Sequence, residues 1–224
     1  MLIDPLAREN RLRQIGTSWE VLETALLRSE AGWRSATPNH SRTAPGQRAY
    51  DERLAALREE QKTRFGWENA CLLQIELTVD PERTVAIQTL LGDHNTGNPL
   101  AACPRNKNPR GFNGRLLLTG EHESNQLSLF PDDVLPVIPA QGADDLEGYE
   151  DLRTWVFLVH RTDDRGDGRT FWHSELSRPH PPNEQGLITG WFERITLPTV
   201  EIGTVAHPGV AEEPERISIP VSDR

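Results

Sequence analysis

The chain has 224 residues, enough for one sizeable hydrophobic core, since single cores keep growing to roughly 250 residues. Its 34 Asp and Glu against 24 Lys and Arg leave a formal net charge of -10, which excludes a surface that clamps nucleic acid all round, because phosphate binding depends on clustered cations. Cys71 and Cys103 are the only cysteines, which excludes a disulfide framework or a four-cysteine zinc site within one chain and points to two reduced thiols.

The opening residues Met1-Leu2-Ile3-Asp4-Pro5 carry no basic segment followed by an apolar run, and nowhere do about 18 apolar residues follow one another. Neither a signal peptide nor a membrane span is expected, and the expected compartment is the cytoplasm. From Thr17 or Ser18 onward, Trp19, Val21, Leu22, Ala25 and Leu26 recur at three- and four-residue intervals, with Glu20 and Glu23 near the start. That spacing predicts an amphipathic helix stopped by Gly32. Residues 34–48 lack periodicity and read as a mobile connector. A second helix is predicted from about Gln47 to Arg64, with Tyr50, Leu54 and Leu57 on one stripe and Gly66 as its stop. Residues 1–66 thus read as a helical N-terminal region built on an antiparallel hairpin.

After it the period changes. Cys71, Leu73, Ile75, Leu77 and Val79 alternate with Leu72, Gln74, Glu76 and Thr78, as in one half-buried strand. Asp80-Pro81-Glu82 can cap a short helix ending near Gly92, while Val85 and Ile87 equally suit a strand. Residues 92–115 form a Gly-, Asn- and Pro-rich loop, longer than connections in compact domains usually are, and that length hints at function. Arg115 to Thr119 reads as a strand, and Pro131, Pro136 and Pro139 keep 131–140 out of the middle of a sheet. Trp155 to His160 and Phe171 to Leu176 flank a polar turn at 162–168; this predicted hairpin is extended by Trp191 to Leu197 into an antiparallel meander. Residues 67–203 are therefore expected to be a β-rich domain, followed by an acidic, partly disordered tail at 204–224 in which Ile217-Ser218-Ile219 can dock as an edge strand. The fold class is α+β: an N-terminal helical hairpin, then a mainly antiparallel β-sheet with long loops.

No phosphate-binding glycine loop with a lysine, no H-E-x-x-H pair, no G-x-S-x-G elbow and no C-x-x-C occurs. No catalytic residue, metal site or cofactor is assigned. The strongest enzymatic candidate is the 92–115 loop, where Asp93, His94, Asn95, Cys103, Asn106 and Asn108 gather a base, a thiol and several amides. Arg105, Lys107, Arg110 and Arg115 make it locally basic, so a phosphate or nucleic-acid contact would fall there. The plainer reading is a polar surface loop whose Asn and Gly residues serve turn geometry. His160 and His173 would share a face with Glu175 if the hairpin pairs Arg161 with Thr170, the convergence that a site of two histidines and one carboxylate needs. A one-residue slip would separate them, and satisfied or exposed histidines are the plainer reading. Asp163, Asp164 and Asp167 lack the spacing and closing Glu of a calcium loop and read as turn residues.

One short stretch, Gln126-Leu127-Ser128-Leu129-Phe130, resembles the peptide of the form Gln-Leu-Ser/Asp-Leu-Phe by which many bacterial replication and repair proteins dock on the β sliding clamp. The resemblance covers these residues alone and carries nothing about the fold. It implies that Leu129 and Phe130 enter a preformed apolar pocket, that Leu127 adds area, and that the Gln126 amide orients the peptide through hydrogen bonds. Burying two such side chains is worth on the order of 3–6 kcal/mol before ordering costs, which suits micromolar, reversible docking. Gly120, Glu121, Glu123, Ser124 and Asn125 before the motif and Pro131-Asp132-Asp133 after it favour a solvated tether, whereas packing into the core is the plainer fate of such side chains. The first expectation is a noncatalytic adaptor in a bacterial DNA transaction: replication, repair, a mobile element or phage defence. The alternatives are an enzyme acting on nucleic acid or a phosphorylated substrate through the 92–115 loop, and a subunit of a larger complex bound through the N-terminal helices.

Overall fold

The computed structural model describes residues 4–101, 103–119, 147–164 and 168–203. Residues 126–130, the prolines at 131, 136 and 139, Asp167 and the proposed edge strand at 217–219 lie outside them.

Three helices come first. α1 (Pro5–Ile15) escapes sequence periodicity because only Leu12 and Ile15 are buried, yet its ends are well marked. Asp4 accepts the Ala7 amide at 2.8 Å, Pro5 opens the first turn, and Gly16 closes it at φ 89°. α2 (Trp19–Arg34) and α3 (Ala44–Phe65) form the predicted antiparallel hairpin, in which Ser29 Oγ donates to the Ala49 carbonyl at 2.9 Å. α2 runs on through Gly32, whose role is close approach: a Cβ there would stand 2.6 Å from the Arg48 carbonyl oxygen. The connector between them, 35–43, carries local hydrogen bonds. The Thr37 amide donates to His40 Nδ1 at 2.9 Å and Arg48 Nη1 to Ser35 Oγ at 3.0 Å.

The strands are β1 (Glu68–Leu72), β2 (Ile75–Val79), β3 (Val85–Leu91), β4 (Arg153–Asp163), β5 (Thr170–Pro179), β6 (Trp191–Thr196) and β7 (Val200–Ile202); α4 (Phe112–Thr119) lies between β3 and β4. They form one seven-stranded sheet in the order β1-β2-β3-β4-β5-β6, with β7 also on β5. Every pairing is antiparallel except β3 with β4. The architecture is α+β, with N-terminal helices followed by a mixed, mostly antiparallel sheet.

Two local expectations are corrected and one open alternative is settled. The run from Cys71 to Val79 is two strands, turned at Leu73 (φ 52°) and Gln74 (φ 63°) with Leu72 opposite Ile75. A two-residue turn of this primed type normally announces itself with Asn or Gly, and here neither is present. The ambiguous segment after Asp80 is β3: Asp80 Oδ1 accepts the amides of Thr84 and Val85 at 2.7 Å each, which closes a turn into a strand instead of opening a helix. Arg115 to Thr119 belongs to α4. β3 and β4 are hydrogen-bonded neighbours, so no strand can enter between them, and a helix lets Leu117 pack with Leu72, Leu73 and Leu77 while Leu118 reaches Val156, Leu158 and Ile188.

The sheet is coated on both faces. Trp155, Phe157 and Val159 of β4, with Ile87, Trp172, Leu176 and Ile195, meet Leu12, Val21, Leu22, Leu26 and Leu57 of the helices in a single core. The alternate β4 residues Val156 and Leu158 face α4 and Ile188. A polar clamp ties the helices down: Glu30 of α2, 2% exposed, accepts from Arg161 Nε (2.8 Å), Trp172 Nε1 (2.9 Å) and Arg34 Nε (2.6 Å). Burial alone would raise the Glu30 pKa, but those hydrogen bonds outweigh it and hold the carboxyl below its usual range. Arg53 of α3 is fully buried and donates to Thr89 Oγ1 (2.6 Å) and Ser29 Oγ (3.0 Å) without a carboxylate partner among the described residues. Its desolvation lowers the pKa to about 10. No helix among the described residues is long and apolar enough to cross a membrane.

The β1–β2 turn yields a stability test. Left-handed backbone costs a non-glycine residue roughly 1–2 kcal/mol, and the exposed Gln74 bears that cost with no packing in return. Gln74→Gly is expected to raise stability by about 0.5–1 kcal/mol in urea unfolding. A lowered midpoint would contradict the turn.

Candidate functional site

The β3–β4 pair is the parallel element of the sheet, and ligands of open sheets gather beyond the carboxyl ends of such strands. The long loop leaves β3 at that point. Its first residues remain bonded to the sheet: the Gly92 amide donates to the Val159 carbonyl at 2.8 Å, the Asp93 amide to Arg105 O at 2.9 Å and the Lys107 amide to Leu91 O at 2.8 Å. Residues 105–107 therefore run antiparallel beside the end of β3. Alternation then turns Asn106 inward, 3% exposed, and Arg105 and Lys107 outward. The Asn106 side chain donates to the carbonyls of Asn108 (2.7 Å) and Gly186 (3.1 Å) and accepts the Ile188 amide (2.7 Å), which stitches the loop to the connection before β6.

A buried ion pair fastens the rest. Glu175 of β5 is fully buried and meets Arg194 of β6 at 2.7 Å through Nη2 and 3.3 Å through Nε. Ser177 Oγ and the Gly97 amide complete the carboxylate's bonding at 2.9 and 3.2 Å. Arg194 also donates to loop carbonyls, Ala101 at 2.8 Å and Asn98 at 3.3 Å, and Trp191 Nε1 donates to Pro104 O at 3.0 Å. Such a pair survives desolvation when further hydrogen bonds satisfy it: here each carboxylate oxygen accepts two bonds and the guanidinium makes four. Gly97 lies flat on β5: with φ 71°, a Cβ would stand 3.0 Å from the Ser174 backbone. The length of 92–111 is thus spent on covering a sheet face.

The four basic residues of this region do not converge. Arg105 and Lys107 project together from the 105–107 extension. Arg110 is half-buried against Gly114, and burial pushes its pKa down. Arg115 sits on α4 and donates to the Glu184 carbonyl at 3.2 Å. His94 is exposed; Asp93 Oδ1 accepts the Asn95 amide at 3.0 Å in a turn. Burial pushes the Cys103 thiol up, against opposing effects of Trp191 and nearby arginines, which makes it a poor nucleophile at neutral pH. Asp163 accepts from Thr170 Oγ1 at 3.0 Å and Arg161 Nη1 at 2.5 Å, and so closes the hairpin end. The N-terminal helices spend their apolar stripe on the sheet, leaving Leu6 and Leu27 as their exposed large hydrophobics.

The two histidines do come together. His160 is opposite His173, and Arg161 opposite Trp172, so the pairing differs from the expected one by an even step and both rings keep one face. Ring centroids are 6.4 Å apart at 30°. His160 Nδ1 lies 3.3 Å from Gly92 O, and His173 contacts Thr162 Oγ1 (3.2 Å) and Thr199 Oγ1 (3.3 Å). Glu175 is not their partner because Arg194 holds it. Sequence reasoning passed over Arg194 and Glu30, whose signal was a charge at an inward position of an otherwise apolar element.

No protein-family model, curated protein or solved structure matches the chain.

Two outcomes follow from this geometry. Arg194→Met strands the Glu175 charge and is expected to cost about 3–5 kcal/mol, whereas the double variant Glu175→Leu, Arg194→Met recovers much of it; equal losses in both would refute the clamp. The histidines respond to acid. Burial holds both below the ordinary histidine pKa, helped at His160 by Lys107 and His94 against Gly92 and Asp93, and at His173 by His160. The unfolded chain therefore takes up these protons first, so stability is constant above the ordinary histidine pKa and falls as pH drops below it. Urea midpoints at pH 7.5 and 5.5 should differ less in the His160→Gln, His173→Gln double variant; an unchanged difference would contradict the assignment.

Proposed function

We propose that the chain is a noncatalytic adaptor in a bacterial DNA transaction, docking on the β sliding clamp through Gln126–Phe130 and working in the cytoplasm. The carrying observation is the pentapeptide itself, set in the connection between α4 and β4. β3 and β4, which follow one another in the sheet, pair directly from Val85 opposite Arg153 to Leu91 opposite Val159. The face that they expose is covered by α4 and the pinned 92–111 loop. A described core that is closed on both faces of its sheet suits an adaptor.

A second reading, contact with nucleic acid, is favoured by Arg105 and Lys107, two exposed cations on one side of the 105–107 extension. It concerns a contact rather than a reaction, and is compatible with docking.

Purified clamp captured on the wild-type chain should show micromolar binding. The Leu129→Ala, Phe130→Ala variant should lose about 100-fold or more, the equivalent of roughly 3 kcal/mol. Equal binding by both chains, or none by either, would end the proposal.

A further inference from the structure

We propose that His160 and His173 form a two-histidine site for a divalent transition-metal ion of the copper, nickel and zinc group. The two residues are direct cross-strand partners on β4 and β5, on the loop-bearing face, with ring centroids 6.4 Å apart. Directly opposed residues have Cβ atoms about 4.5–5.5 Å apart, so modest side-chain rotation brings one nitrogen of each ring to roughly 2.0–2.1 Å from a shared ion.

His160 already holds a ligating form. Its Nδ1 faces the Gly92 carbonyl at 3.3 Å, a contact that only an N–H satisfies, which leaves the lone pair on Nε2. A backbone carbonyl on the far ring nitrogen is the usual means of orienting a metal-binding imidazole. His173 meets two hydroxyls, Thr199 Oγ1 on Nδ1 and Thr162 Oγ1 on Nε2. A hydroxyl donates or accepts, so Thr199 can take the Nδ1 proton while Nε2 turns from Thr162 to the ion. Both rings are partly buried and favour the neutral state that coordination needs.

The surrounding charges set the strength. Asp93 favours a cation beside His160 and Lys107 opposes it. Among the described residues no group of three imidazole, thiol or carboxylate donors is assembled, so two protein ligands and water make the shell. That donor set selects Cu2+ ahead of Ni2+ and Zn2+ by the ordinary affinity order.

The test uses the untagged full chain and CuCl2. Of the seven histidine C2 proton resonances, those of His160 and His173 should broaden first at substoichiometric copper. His160→Gln and His173→Gln should each weaken copper binding by about tenfold or more in calorimetry. Broadening that spares these two rings, or isotherms unchanged in both variants, overturns the site. The resonance assignment is made on the wild-type chain, so it decides even if a variant fails to fold.

Discussion

Two buried carboxylates, one on each side of β5, hold this protein's layers together. Glu30 reaches from α2 to Arg161 and Trp172 on the helical face, and Glu175 binds Arg194 beneath the 92–111 loop. Apolar contact supplies most of the driving force for coating a sheet, but it is non-directional and would tolerate sliding. Charge-assisted hydrogen bonds add geometry: each carboxylate has donors from two or more elements, so each coat is fixed in one position. The arrangement is sensitive to loss of either partner, because a stranded charge in the interior costs more than the pair contributes.

That constraint changes how the longest loop is understood. Gly, Asn and Pro at 92–111 look like the composition of a binding or catalytic loop, yet Asn106, Gly97 and the carbonyls of Asn98 and Ala101 all serve attachment. Of its charged and imidazole side chains, Arg105, Lys107 and His94 point outward, and Leu100 is exposed as well. The loop thus offers surface charge, and the proposed docking rests on the sequence of the pentapeptide at 126–130.

Much of the fold was legible because it obeys simple periods. The α2–α3 hairpin follows the three-and-four spacing of its apolar residues, each helix burying one face, and the β4–β5–β6 meander follows apolar runs set about a polar turn. Failures occurred where another rule dominated. α1 has too thin an apolar stripe to show a period, and its caps were the readable signal. Leu73 and Gln74 turn the chain without the residues that usually mark such a turn, because Leu73 is buried and Asn113 Nδ2 holds its carbonyl at 3.0 Å. Leu116 to Leu118 has no intrinsic mark of helix or strand, and its helical state follows from the parallel β3–β4 pairing, a contact distant in sequence. At the site, the shared face of His160 and His173 was readable from parity, whereas the capture of Glu175 depended on Arg194, which only folding brings near.

The adaptor reading stands on whether the pentapeptide alone carries recognition. A labelled peptide of residues 121–133, titrated into purified clamp by fluorescence anisotropy with the full chain as competitor, tests this most directly. If the five residues suffice, the full chain displaces the peptide with an affinity within about threefold of the peptide's own. A peptide that fails to bind, or a chain that binds the clamp without displacing it, would contradict that reading.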